Sequence, residues 1–470
     1  MATDVERVSF DWARFYRGLV PQQGRVSLEA EQNEQRVIDS EERRKELIDI
    51  VGPAGTPDDG YAITGGPDFT IGAGTMYVGG LRVELDSPTI YSLQPDWLDR
   101  GPDPVAPGQT NEYILLTLRE TEVTAVEDPV LYEVALGGPD GAARTRLLQR
   151  VTRSATQVDN CAAALGEAET GWAGDGLTFD PATMALKSNS RLLVTWEGNP
   201  NAPDPCEPSS TGGYLGAENQ LIRVQIAHID GANKTCDLLW SYDDASFLYR
   251  VTADASTNPV LKLDRSPVDD FHRPRAGQAV QVLRAAAQLQ STDGVVEGFV
   301  AALGGQVATL AAPYDPDTKT VQFPAPLPPE FTDTKQTKQL YLRVWEERLT
   351  GVVFGTPVSL TGTGMQVTIT ADAGGPLHVD DFWCIAVRPS TPSTVYPDRY
   401  VRTPQPPDGP KLWACPLAVI GWQTGQVSTL EDCRNHFKPL IDERAGGCCV
   451  IEVQPSGELR SRFWCSVEFN

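Results

Sequence analysis

The chain has 470 residues, 40% hydrophobic and 22% charged, which is too long for one hydrophobic core and too apolar for disorder. Sixty-three acidic residues stand against 39 basic ones, a net charge of −24. That balance excludes general phosphate neutralisation of a nucleic acid and disfavours an anionic membrane surface. The 42 Gly and 37 Pro suit many short strands joined by turns.

Nine cysteines, an odd number scattered singly except for Cys448 and Cys449, predict no disulfide framework. The amino terminus has no signal-peptide pattern, and no apolar run approaches the roughly 18 residues of a membrane span. The expected site of synthesis and assembly is therefore the cytosol.

Phe10, Trp12, Phe15 and Tyr16 place four aromatics within seven residues, and the Pro21–Gly24 stretch that follows reads as a turn. Ser27 is a plausible N-cap for one long helix running to about Val51, free of Gly and Pro. Its apolar stripe, which includes Val37 and Ile48, is too thin for a fully buried helix. The helix is expected to lie on a domain or against a second copy. Phe10, Trp12, Phe15, Tyr16, Val37 and Ile48 are accordingly the candidate assembly contacts.

Beyond Gly52 the texture is β. Strands are expected over residues 75–85, 113–124, 131–136, 192–196, 221–229, 341–349, 366–370 and 382–387. Residues 276–290 and 294–303 have helical texture. Proline-rich stretches at 94–110, 199–213 and 313–329 read as linkers or long loops. The runs beginning at Tyr113 and Gln339 are similar enough to suggest a duplicated β-unit. The expected fold is mainly β, with several small sandwich-like or barrel-like domains after the arm and helix. It divides into 1–52 (docking and oligomerisation), 53–155, 156–265, 266–440 and a tail, 441–470.

Catalytic signatures are missing. Gly72 and Gly74 lack the third glycine of a dinucleotide loop, and the four histidines, His228, His272, His378 and His436, are far apart with no metal-ligand spacing. Adjacent acids at Asp243 and Asp244, Asp269 and Asp270, and Asp380 and Asp381 point to opposite faces of an extended chain and read as solvated turns. No catalytic residue, cofactor or metal is expected.

Several segments together carry a resemblance. They are FDWARFYRGLVPQQGRVSLEAEQNEQ from Phe10, FTIGAGTMYVGG from Phe69, VEDPVLYEVALGGPD from Val126 and GGYLGAENQLIRVQI from Gly212. VDDFHRPRAGQ from Val268, DDFWCIAVRP from Asp380 and CPLAVIGW ending at Trp422 continue the order. In this order they resemble a domain of unknown activity found in bacterial loci for contractile, phage-tail-like injection systems. The resemblance implies a structural part at the baseplate or a surrounding cage, working by symmetric contacts with identical copies and with baseplate, tube or spike subunits. On the charge balance and the lack of a long apolar run, neither nucleic-acid binding nor direct membrane insertion by the chain is expected. The finished particle would be released or anchored at a membrane. A tail-fibre or receptor-binding protein and a carbohydrate-active enzyme are the rival expectations.

Overall fold

Sheets built from distant segments dominate the computed structural model, which describes residues 3–101, 111–136, 141–198, 212–253, 260–332, 338–423 and 425–439. The chain is mainly β, as expected, and its units are nested. The outermost unit is a six-stranded antiparallel sheet in which Arg144–Thr156, Asn111–Val123, Leu412–Gln423, Ala185–Ser188 and Leu177–Asp180 lie in that order, with Gln426–Asp432 paired to Leu412–Gln423. This sheet is split in sequence: the chain leaves it after Ser188 and returns at Leu412.

Between those points lies a sandwich. Ser190–Trp196, Met365–Ala371 and Val358–Leu360 form one sheet, and the other runs Glu347–Val353, Thr235–Ser241, Gln220–Asp230, Phe382–Val387 and Val395–Tyr396. Leu192, Val194, Val367 and Ile369 meet Ile222, Val224, Trp240, Trp383 and Ile385 in its core. Alternation along Ser190–Trp196 and Met365–Ala371 gives each strand one inward face. Inserted within the sandwich, residues 248–345 form a third unit around Val280, Val282, Leu342, Val344, Leu261 and Phe323. Gln306–Thr309 pairs with Ala279–Gln290, while Ala311 donates to the Gln322 carbonyl (3.0 Å) on the opposite edge strand, so the sheet curls into a barrel-like closure. The linear divisions at 155/156 and 265/266 do not follow these sheets, because a strand pair can join segments of any sequence separation.

Several local expectations are corrected. Ala279–Gln290 and Val296–Ala301 are paired strands, not helices. Ala279–Gln290 is covered on both faces, so it reads as a continuous apolar run without period-2 alternation, and its alanines suggested a helix. Residues 131–136 form no strand: Pro129–Leu131 and Val134–Leu136 are 3-10 turns, the first started by the Asp128 carboxylate accepting from the Val130 N–H. The duplicated unit therefore fails. Asn111–Val123 pairs with Arg144–Thr156, whereas Leu340–Trp345 and Glu347–Val353 belong to different sheets. Residues 313–329 are no linker, since Tyr314, Phe323 and Leu327 are buried in the third unit. At the start of 94–110, Gln94 bonds both the N–H (2.6 Å) and the carbonyl (2.9 Å) of Val151. Residues 102–110 of that stretch, 199–211 of the next and the tail 441–470 lie outside the described residues.

Helix Glu29–Val51 forms as expected, one residue later than a Ser27 cap would give: Leu28 is the N-cap and its N–H reaches Glu31 (3.4 Å). The Gly79–Gly80 turn between Gly74–Val78 and Leu81–Leu85 holds it. Arg44 donates to the Gly79 carbonyl (3.2 Å), and a Cβ on Gly80 would stand 2.0 Å from the Arg44 carbonyl oxygen.

A second helix, Cys161–Gly174, was not foreseen. Asn160 caps it by accepting from the Ala163 N–H (2.9 Å), and the internal Gly166 and Gly171 obscured its pattern. No disulfide framework forms among the described residues, but one pair of cysteines is joined. Cys161 at the start of this helix is bonded to Cys433, 272 residues away, just past Gln426–Asp432. Both belong to the split outer unit. Folding brings them together, which spacing along the chain could not reveal.

Candidate assembly surface

Residues 3–11 are fastened to the chain's own body. Val5 and Val8 pack on Leu221, Phe382, Cys384 and Ala386, the outer face of the five-stranded sandwich sheet. Arg388 donates to the Glu6 carbonyl (3.3 Å) and carboxylate (2.8 Å), and the Ser9 hydroxyl donates to Glu34 on the long helix (2.6 Å).

From Trp12 the character changes. Asp11 accepts from the Ala13 N–H (3.1 Å) and opens the 3-10 turn Trp12–Arg14, which ends on Phe15 at φ 55. The segment then crosses the helix, with Arg17 paired to Glu42 (3.1 Å) and the Leu19 N–H donating to Gln35 (2.6 Å). It turns at Gln22–Arg25 around Gly24, φ 72, where the sequence placed a turn. Every residue from 12 to 29 is exposed.

Trp12, Phe15 and Tyr16 show 70%, 77% and 54% of their surface to solvent, and Leu19, Val20, Val26 and Leu28 are exposed beside them. Of the six candidate contacts, these three aromatics are thus uncovered, while Phe10, Val37 and Ile48 are half-buried. The buried helix positions are Ala30 and Ile38. The only charges within 12–28 are Arg14, Arg17 and Arg25, a basic stretch in a strongly acidic chain. Arg and large aromatics are the side chains that dominate binding energy at protein interfaces.

The paired acids are not all solvated turns. Asp269 and Asp270 are exposed, but Asp244 and Asp381 are buried and Asp380 is half-buried. They join a polar layer where the sandwich and the third unit meet. Arg223 pairs with Asp244 (3.3 Å), bonds Gln225 (3.2 Å) and stacks on the Phe382 ring at 3.5 Å. Gln225 in turn donates to Asp380 (3.2 Å). Arg343 lies opposite Gln281 in the strand register, and its Nε and Nη1 have no hydrogen-bond partner among the described residues.

Burial, reinforced by Arg223, lowers Arg343 to about 10, and burial raises Asp244 and Asp380. Burial pushes Asp381 up to about 6, against the Ser188 hydroxyl, which donates to one of its oxygens. Asp243 and Asp244 both have left-handed backbone, a strained pair that composition alone did not flag.

This layer presents no acid pair to a substrate. A cavity of about 300 Å³ at another seam is lined by Pro95, Asp128, Arg146, Gln288, Leu289 and Glu297 among others, with no nucleophile beside a base. Arg146 there is already paired with Asp96 (2.6 Å). Among the described residues no three His, Cys, Asp or Glu side chains are grouped to hold a metal, and no helix is long and apolar enough to cross a membrane. His272 contacts Asp269 (2.6 Å), and His378 contacts the Asp175 carbonyl (2.9 Å), 203 residues away in sequence.

Among known proteins, neither the curated proteins nor the solved structures yield a match to the chain. Residues 1–165, which include the arm, the long helix and the first long strand pair, match a family of unknown function, DUF6519.

Proposed function

We propose that the chain is a structural component of a contractile, phage-tail-like injection particle, placed at its baseplate or in a cage around it, and that it works by protein–protein contact without turnover of its own. The observation that carries this reading is the arm. Both its flanks are fastened, yet its aromatics face solvent in the single chain, an arrangement that an interface in an assembly would complete. Phe15 adds to it, because an exposed aromatic held at positive φ costs about 1 kcal/mol and calls for a compensating contact elsewhere. The collinear resemblance supplies the kind of assembly. The disulfide suits a particle that leaves the reducing cytosol after assembly.

The test is co-sedimentation. A tagged chain should travel with sheath-and-tube particles from cells that make them, and Trp12→Ala with Phe15→Ala and Tyr16→Ala should leave a folded protein in the supernatant. A wild-type chain absent from purified particles would overturn the proposal.

A further inference from the structure

We infer that the arm of one copy docks on the long helix of a second copy, through an acidic stripe on that helix. The inference rests on the assembly reading and names the partner of its surface. Asp39, Glu42, Glu46 and Asp49 recur at helical spacing along one face of Glu29–Val51. Glu42 is already paired with Lys45 of the same helix (3.6 Å) and exposed Arg43 borders the face, so Asp39, Glu46 and Asp49 carry its free negative charge. Asp39, Glu46 and Asp49 are exposed, and Ile50 beside them shows 68% of its surface. The stripe ends in an apolar side chain, as an arm that mixes arginine with aromatics requires.

Charge selects the occupant. The whole chain carries −24, so two bodies repel, and the arm is a stretch whose only charges are positive. A second copy's acidic stripe is the complementary surface that every copy brings with it. Within one chain the same pairing exists in miniature, since Arg17 reaches Glu42 of its own helix at 3.1 Å. Arg14, set between Trp12 and Phe15 and 3.7 Å from Asp11, and Arg25, past the aromatics, extend that pairing to a neighbour. An arm on one copy and a stripe on the next can close reciprocally or pass around a ring, the two ways identical subunits build symmetric assemblies.

The experiment uses purified full-length protein in sedimentation velocity, at ionic strength near 0.1 M, where exposed charges are screened over about 10 Å. Wild type should self-associate with concentration. A reversed arm, Arg14→Glu with Arg25→Glu, and a reversed stripe, Glu46→Lys with Asp49→Lys, should each weaken that association at least about tenfold. Mixing the two variants should restore it, because reversed arm then meets reversed stripe.

Restoration also shows that both variants fold. Wild type that stays monomeric while the arm is still needed to enter particles would overturn docking between copies and leave the assembly reading standing. Association that both variants retain would overturn it as well. Binding of monomeric wild type to phosphatidylcholine–phosphatidylserine vesicles would assign the arm to lipid instead.

Discussion

Cutting the Cys161–Cys433 cross-link by Cys161→Ser with Cys433→Ser should loosen the outer unit and spare the units nested inside it. The bond closes a loop of 272 residues, and the chain-entropy relation gives about 5–6 kcal/mol for a loop of that length. Measured disulfides more often return about 2–4 kcal/mol, because unfolded chains keep residual structure. The split sheet has two extra holds, the Cys161 N–H donating to Glu431 (2.6 Å) and the pairing of Leu412–Gln423 with Asn111–Val123, so it should survive as a folded but weaker sheet. A loss of that size moves a guanidinium midpoint by roughly 0.5–1 M. Hydrogen exchange during denaturant titration separates the units. Amides of Cys161–Gly174 and Gln426–Asp432 should open earlier in the variant, and those of Ala279–Gln290 should be unchanged. Identical opening of the outer sheet with and without the cross-link would refute the reasoning.

The buried layer gives opposite outcomes for two arginines. Arg223→Ala strands the Asp244 carboxylate without its cation and should cost about 3–5 kcal/mol in calorimetric or denaturant unfolding, whereas Arg343→Met, which removes a guanidinium with two unpartnered nitrogens, should be neutral or stabilising. Asp381 binds its proton more tightly folded than unfolded, so its contribution is fully present below the unfolded carboxylate value and is lost as pH rises through about 6. Asp381→Asn should flatten stability between about pH 4 and 6 and raise it at pH 7 by up to about 3 kcal/mol, read from unfolding midpoints across that range. Phe15→Gly relieves the left-handed strain, so melting should hold or rise slightly while incorporation into particles falls.

The fold class and the long helix were legible because their signals are local: turn residues between β-branched runs, and a charged segment free of Gly and Pro. Ala279–Gln290 was misread because burial on both faces erases the alternation that marks a strand. Nesting, the cross-link and the Arg223–Asp244 layer depend on contacts between residues far apart in sequence, to which neither period nor spacing is sensitive. The arm was the opposite case. Four aromatics in seven residues announced a need for cover, and the structure leaves Trp12, Phe15 and Tyr16 uncovered. Missing from the sequence reading was the anchoring of Val5 and Val8, whose wide spacing carries no strong apolar pattern.

The central claim is that the arm is covered by protein in the working assembly, and a photoreactive side chain in place of Tyr16 tests it most directly. On irradiation of intact particles, the account predicts efficient cross-links to protein from this position and few from an equivalent probe at Val353, an exposed position on the sandwich edge. Cross-linking from residue 16 no greater than from residue 353 would contradict it.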